Sequence, residues 1–175
     1  MSKKKKQEVV TNRNYKPGQQ RFTEALDPLR EFRVVKESIS LHNPAESAVR
    51  FVQQDTELAG REYSIVLLGR RLEKQTVMEL YCFHRAKAHT TAHYTPNQNK
   101  CSLEHSCRNE TEVVFGHSHV AKGEEYNKFS PAELHNLIAR AKSMNRDVYG
   151  MLVTKDKIQY IKYDLRQKEF FLIRS

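Results

Sequence analysis

The chain switches between two hydrophobic periods, and the switches mark its elements. Residues 33–41 alternate in part, with Val35, Ile39 and Leu41 set against Lys36 and Ser38, which reads as a strand. Asn43, Pro44, Ala45 and Glu46 then predict a helix start, with an Asn cap, Pro at the first helical position and an acid in the first turn. Ala45, Ala48, Val49 and Val52 fall on one helical face, and the helix is expected to end between residues 55 and 60. The apolar run 63–68, closed by Gly69, is too short for a buried helix and suits a central strand. A second strand is expected over 77–83, after a charged turn. Residues 112–115 lead into a histidine pair, and 130–144 read as a helix with Leu134, Leu137, Ile138 and Ala141 on its apolar face. Strands follow at 148–154, 158–163 and 169–173, the first two joined by a tight polar turn at Lys155, Asp156 and Lys157. There is no internal repeat. This order predicts an α/β (α+β-like) fold: a mixed, mostly antiparallel sheet with helices packed against it.

Composition changes that picture at one end. A chain of 175 residues fits one domain and is long enough for a core without disulfides. Its apolar content of 38% is low, and part of the deficit lies in the first twenty or so residues. There Lys3, Lys4, Lys5, Lys6, Arg13 and Lys16 occur without periodicity and carry much of the net charge of +9. Residues 1–30 are therefore expected to be a basic, disordered tail and 31–175 the folded domain. The Lys3–Lys6 run offers a weak attraction for nucleic acid, although a plain solvated end is the commoner case. No apolar stretch is long enough to span a membrane, and none follows the Lys-rich start as a secretory signal would require. Three cysteines, an odd number, argue against a disulfide framework, so a reducing, cytoplasmic setting is expected. Oligomeric state is not legible.

The candidate chemistry centres on His117-Ser118-His119, at the end of the run Val113, Val114, Phe115, Gly116. If the strand runs on through the pair, both imidazoles aim at one point. Glu133, near the start of the next helix, would complete three protein ligands around an open fourth position, the arrangement of a catalytic zinc. Plainer readings stand beside this one. A His-x-His pair can be two polar residues at a strand end. Ser130-Pro131-Ala132-Glu133 is a capping box with Pro at the first helical position, which local helix chemistry alone would select. Glu62 precedes a buried strand and can be an ordinary solvated residue. The long, aperiodic segment 84–110 holds His84, His89, His93, Cys101, His105 and Cys107. The spacing Cys101-x-x-x-His105-x-Cys107 is not that of a standard zinc finger, so an insertion is favoured there over a second metal site.

In combination these pieces resemble the JAB/JAMM/MPN metallopeptidase superfamily. The carrying residues are Glu62-Tyr63-Ser64-Ile65-Val66-Leu67-Leu68-Gly69, then Gly116-His117-Ser118-His119, then Ser130-Pro131-Ala132-Glu133, in the family's order. The resemblance spans roughly residues 32–175. It implies a curved sheet flanked by helices, the JAB/MPN (cytidine-deaminase-like) fold. It also implies Zn²⁺ held by His117, His119 and Glu133, Glu62 as proton carrier, and Ser130 as oxyanion donor. The implied activity is hydrolysis of peptide or isopeptide bonds in a protein or peptide substrate, such as a ubiquitin-like tail, and the segment 84–110 would lie beside the active site. Two features depart from the family pattern: Glu133 stands where the family has Asp, and Val120 follows His119 with a longer segment, 123–128, before Ser130. A catalytically inactive scaffold of the same family is the alternative. Calcineurin-like metallophosphoesterases also end on Gly-His-x-His, but their earlier Asp-x-His, Gly-Asp and Asn-His-Glu motifs do not occur here.

Overall fold

The computed structural model describes residues 22–71, 76–88 and 111–174. Its elements in chain order are α1 (Pro28–Glu31), β1 (Arg33–Leu41), α2 (Ala45–Ala59), β2 (Tyr63–Arg71), β3 (Val77–Ala88), β4 (Thr111–Ser118), α3 (Pro131–Met144), β5 (Val148–Val153), β6 (Ile158–Asp164) and β7 (Glu169–Arg174). The strands close into a barrel in the spatial order β1-β3-β2-β4-β5-β6-β7. Pairings β2–β3, β2–β4, β5–β6 and β6–β7 are antiparallel, and β1–β3, β1–β7 and β4–β5 are parallel.

Closure overturns the expected α/β class and its curved sheet flanked by helices. The fold is mostly strand, a closed seven-stranded mixed barrel with three short helices among the described residues. The reason lies in β1. Ser38 to Leu41 pair with β3, while Arg33, Val34 and Ser38 pair with β7, so the first strand joins the last. Hydrophobic period reports which side chains are buried. It does not report which strands meet across the whole chain.

Part of the wall is buried on both faces, most plainly β5, whose six residues are all buried. Tyr149, Met151 and Val153 of β5 pack on one face with Ala45, Val49 and Val52 of α2. Val148 and Leu152 pack on the other with Leu134, Leu137, Ile138 and Ala141 of α3. The parallel partners β4 and β5 are joined through α3, because parallel strands need a crossover. This crossover takes the chain from the histidine pair directly to the N-terminus of α3.

Several local expectations shift. Asn43 does not cap α2; Pro44 holds the cap position, and the Asn43 Oδ1 accepts instead from the Ser47 hydroxyl at 2.7 Å. β3 continues to Ala88, past the point where a loop was expected to begin. Packing also begins before residue 31. Asp27 caps α1 through the Leu29 N–H, and Leu26 and Phe129 exchange backbone hydrogen bonds of 2.9 Å each way. Phe22 and Phe32 both pack against Phe170. Among the described residues, no helix is long and apolar enough to cross a membrane.

Gly69 shows what the pairing demands. It sits at a register shift between β2 and β3, where a Cβ would run into the Glu79 carbonyl. Backbone cannot step aside as a side-chain end can. Gly69→Ala is expected to cost about 3 kcal/mol, the upper part of the overpacking range. For a chain of this size that lowers the thermal midpoint by roughly 6–12 °C. A midpoint equal to that of the parent would show that β2 and β3 do not meet in this register.

Candidate metal centre

The site forms where two ladders part. The β2–β4 pairing stops at Ser64 and His117, while β4 continues against β5 through Ser118 and Val153. The His119 N–H then donates to the Val153 carbonyl at 3.0 Å, which keeps the chain against β5 for one more residue. His117 and His119 therefore stay two apart on one side of the chain, although β4 itself ends at Ser118. Their ring centroids are 4.6 Å apart, and their Nε2 atoms approach to 2.9 Å. Gly116 admits this path. A Cβ there would lie 2.5 Å from Met151 Cε and 3.0 Å from Ile65 Cγ2, so a side chain at that position would displace the Met151 end and crowd Ile65.

Helix α3 brings the carboxylate. Ser130 caps it, Pro131 occupies the first turn, and the capping box is complete. The Glu133 N–H donates to Ser130 Oγ at 3.3 Å, and the Ser130 N–H donates to Glu133 Oε2 at 2.9 Å. The other oxygen, Oε1, lies 2.8 Å from His117 Nε2 and 3.0 Å from His119 Nε2. The capping box uses Oε2 and leaves Oε1 beside both imidazoles, so the cap reading of Glu133 does not exclude the ligand reading. The extra methylene relative to Asp does not prevent convergence.

Charge and tautomer follow from these contacts. The Tyr126 carbonyl lies 2.8 Å from His119 Nδ1. A carbonyl only accepts, so Nδ1 carries a proton; Nε2 then donates to Glu133 when the ring is protonated and offers a lone pair when the ring is neutral. Burial alone would lower the His119 pKa, but hydrogen bonding and charge from Glu133, with help from Tyr126 and Glu62, raise it overall. Burial would raise the Glu133 pKa; the charge of His117 and the hydrogen bonds from both rings outweigh it and hold the carboxyl well below its usual range. Glu62, half-buried just before β2, is raised by burial. His119 and His117 pull it down and Glu133 pushes it up, which places Glu62 within electrostatic reach of all three.

His117, His119 and Glu133 form a group that could hold a metal ion, their donor atoms lying within 4.8 Å of one another. Two imidazole nitrogens and one carboxylate oxygen suit a small divalent ion. Tetrahedral bonds of about 2.0–2.1 Å place donors roughly 3.3 Å apart, so the trio fits once it opens by a few tenths of an ångström. Three donors leave one coordination position open.

All five residues expected at the site lie in this neighbourhood. Two further contributors were missed. Tyr126 acts through its carbonyl, which no side-chain pattern reveals. Ser118 could have been found: between two residues facing one way, a strand residue faces the other, and a buried hydroxyl needs partners. His84 falls in β3, whereas His89, His93, Cys101, His105, Cys107 and the Lys3–Lys6 run lie outside the described residues. No protein-family model matches the sequence, and no curated protein matches it.

Proposed function

We propose that this chain is a zinc-dependent hydrolase of peptide or isopeptide bonds. The observation that carries the proposal is the convergence of His117 Nε2, His119 Nε2 and Glu133 Oε1 on one point, with Glu62 within electrostatic reach of all three. When bound, zinc would supply a Lewis acid and bring the pKa of a water toward about 7. A bound ion would take a lone pair from each deprotonated Nε2, and Tyr126 holds His119 in the tautomer that can provide it. Glu133 adds one negative charge at the N-terminal end of α3, where the helix dipole favours it.

Glu62 is the proton carrier in this reading. Its raised pKa brings a carboxylate closer to the working pH, which makes it a better base toward water and a better acid toward the leaving amine. Ser130 Oγ accepts the Glu133 N–H, and its own proton is the one that would be given to the carbonyl oxygen as negative charge develops there. By resemblance to the JAB/JAMM/MPN peptidases, the substrate is a protein or peptide, with a ubiquitin-like tail as the first candidate. A reducing, cytoplasmic setting accords with the odd number of cysteines.

Glu62→Gln tests the assignment. Zinc content should match the parent, and kcat on a fluorogenic peptide amide or an isopeptide-linked ubiquitin dimer should fall about 10²–10⁴-fold. Turnover at the parental rate removes Glu62 from the chemistry. The alternative is a non-catalytic scaffold, favoured by the completeness of the Ser130–Glu133 capping box, which by itself accounts for a Glu at that position. Nucleic-acid binding through Lys3–Lys6 is a separate proposal, whose mark is affinity that falls steeply with salt.

A further inference from the structure

We infer that Thr56 of α2 is a positioning residue for Glu62, acting through Ser118; the inference rests on the hydrolase reading of the site. Thr56 is 2% exposed and Ser118 fully buried, so neither hydroxyl meets solvent. Thr56 Oγ1 donates to the Val52 carbonyl at 2.6 Å, one turn back in α2. A hydroxyl has one proton, and Thr56 has spent it there. In the 2.6 Å contact between the two hydroxyls, Ser118 must therefore be the donor and Thr56 the acceptor. Ser118 is then left with lone pairs, and one of them takes the Tyr63 N–H at 2.9 Å. Every proton in the chain of contacts is assigned, and each has one direction.

That last N–H belongs to the peptide joining Glu62 to Tyr63. Tyr63 pairs with Ala88 on its β3 side, but on its β4 side the ladder stops at Ser64 and His117, one residue short of this amide. The Ser118 hydroxyl holds it instead. Ser118 is also the residue between the two histidines, on the opposite side of the same backbone. A line of bonds from Val52 through Thr56 and Ser118 thus ties the backbone of Glu62 to that of His117 and His119. Thr56 matters because it sets which way the Ser118 proton points. Without that acceptor the buried Ser118 proton has no partner, and rotation of the side chain about Cα–Cβ to find one carries Oγ away from the Tyr63 N–H. The residue moved is Glu62; the converging side chains stay on β4, the residue after it and α3.

The test is Thr56→Val, which keeps shape and removes both the donor and the acceptor. In zinc-loaded protein with the peptide amide as probe, kcat should fall about 10–100-fold, the scale expected for a misplaced catalytic group, with KM and zinc affinity unchanged. In metal-free protein, the Tyr63 amide should exchange with solvent at least about 10-fold faster, while amides of β5 and β6 keep their protection. Thr56→Ser should restore both readouts. If the valine variant does not fold, Ser118→Ala is expected to give the same pair of effects from the other end. Parental kcat and parental Tyr63 protection in either variant would overturn the inference alone. Faster exchange spread evenly over the core would also overturn it, by showing a role in stability only. A parent that takes up no zinc and cleaves neither probe would overturn the hydrolase reading, and the inference with it, even where Tyr63 behaves as expected.

Discussion

Glu133→Gln is expected to abolish hydrolysis and weaken zinc binding by more than the 10–100-fold typical of losing an outer-shell partner. The carboxylate uses its two oxygens separately, Oε2 for the Ser130 N–H and Oε1 for the histidines. Glutamine has one oxygen. If that oxygen keeps the cap, an NH₂ group faces the imidazoles and no anionic ligand remains. If it turns to the histidines, NH₂ faces the Ser130 N–H and the cap is lost, at about 1 kcal/mol. The fold survives either way, because Leu134, Leu137, Ile138 and Ala141 still bury the helix. Equal zinc occupancy in parent and variant, measured by titration with a metal indicator, would reject Glu133 as a ligand and favour the scaffold.

His117→Ala and His119→Ala are expected to lose stoichiometric zinc while the domain stays folded. Each removes a donor that shares Glu133 Oε1 with the other ring. The two substitutions should differ in their structural cost. His117 is 7% exposed and packs edge-on to Phe129, so its removal leaves a gap and a carboxylate short of one buried partner. Losing such a partner costs about 1–3 kcal/mol. His119 leaves the Tyr126 carbonyl without its donor, in a segment more open to water, and should cost less. Circular dichroism and thermal melting of the metal-free variants check the fold independently of zinc. Retained one-to-one zinc in either variant would mean that the ion sits elsewhere.

Much of the local structure was legible. β1 has the bounds that alternation predicts, and α3 buries the four residues that its period selects. The histidines converge for the reason the sequence offers, two residues apart along an extended chain. Glu133 was read as either cap or ligand because a sequence shows one residue type, while the structure shows two oxygens with different partners. Barrel closure was not legible. The rows that close it, β1 on β3 and β1 on β7, join stretches far apart in the chain, and their side-chain period is the same in an open sheet as in a closed one. Thr56 was hidden for a related reason: it lies on the buried face of α2 as an apolar residue would, and its partner Ser118 comes from another element. Asn43 misled because a good capping residue was available to Ser47 as well.

The most direct test of the account is the metal content of the full chain, purified without chelator and assayed by elemental analysis. The account predicts about one zinc per chain, released by strong chelation and recovered on adding Zn²⁺. Protein that is folded, free of zinc and unable to take it up would contradict it.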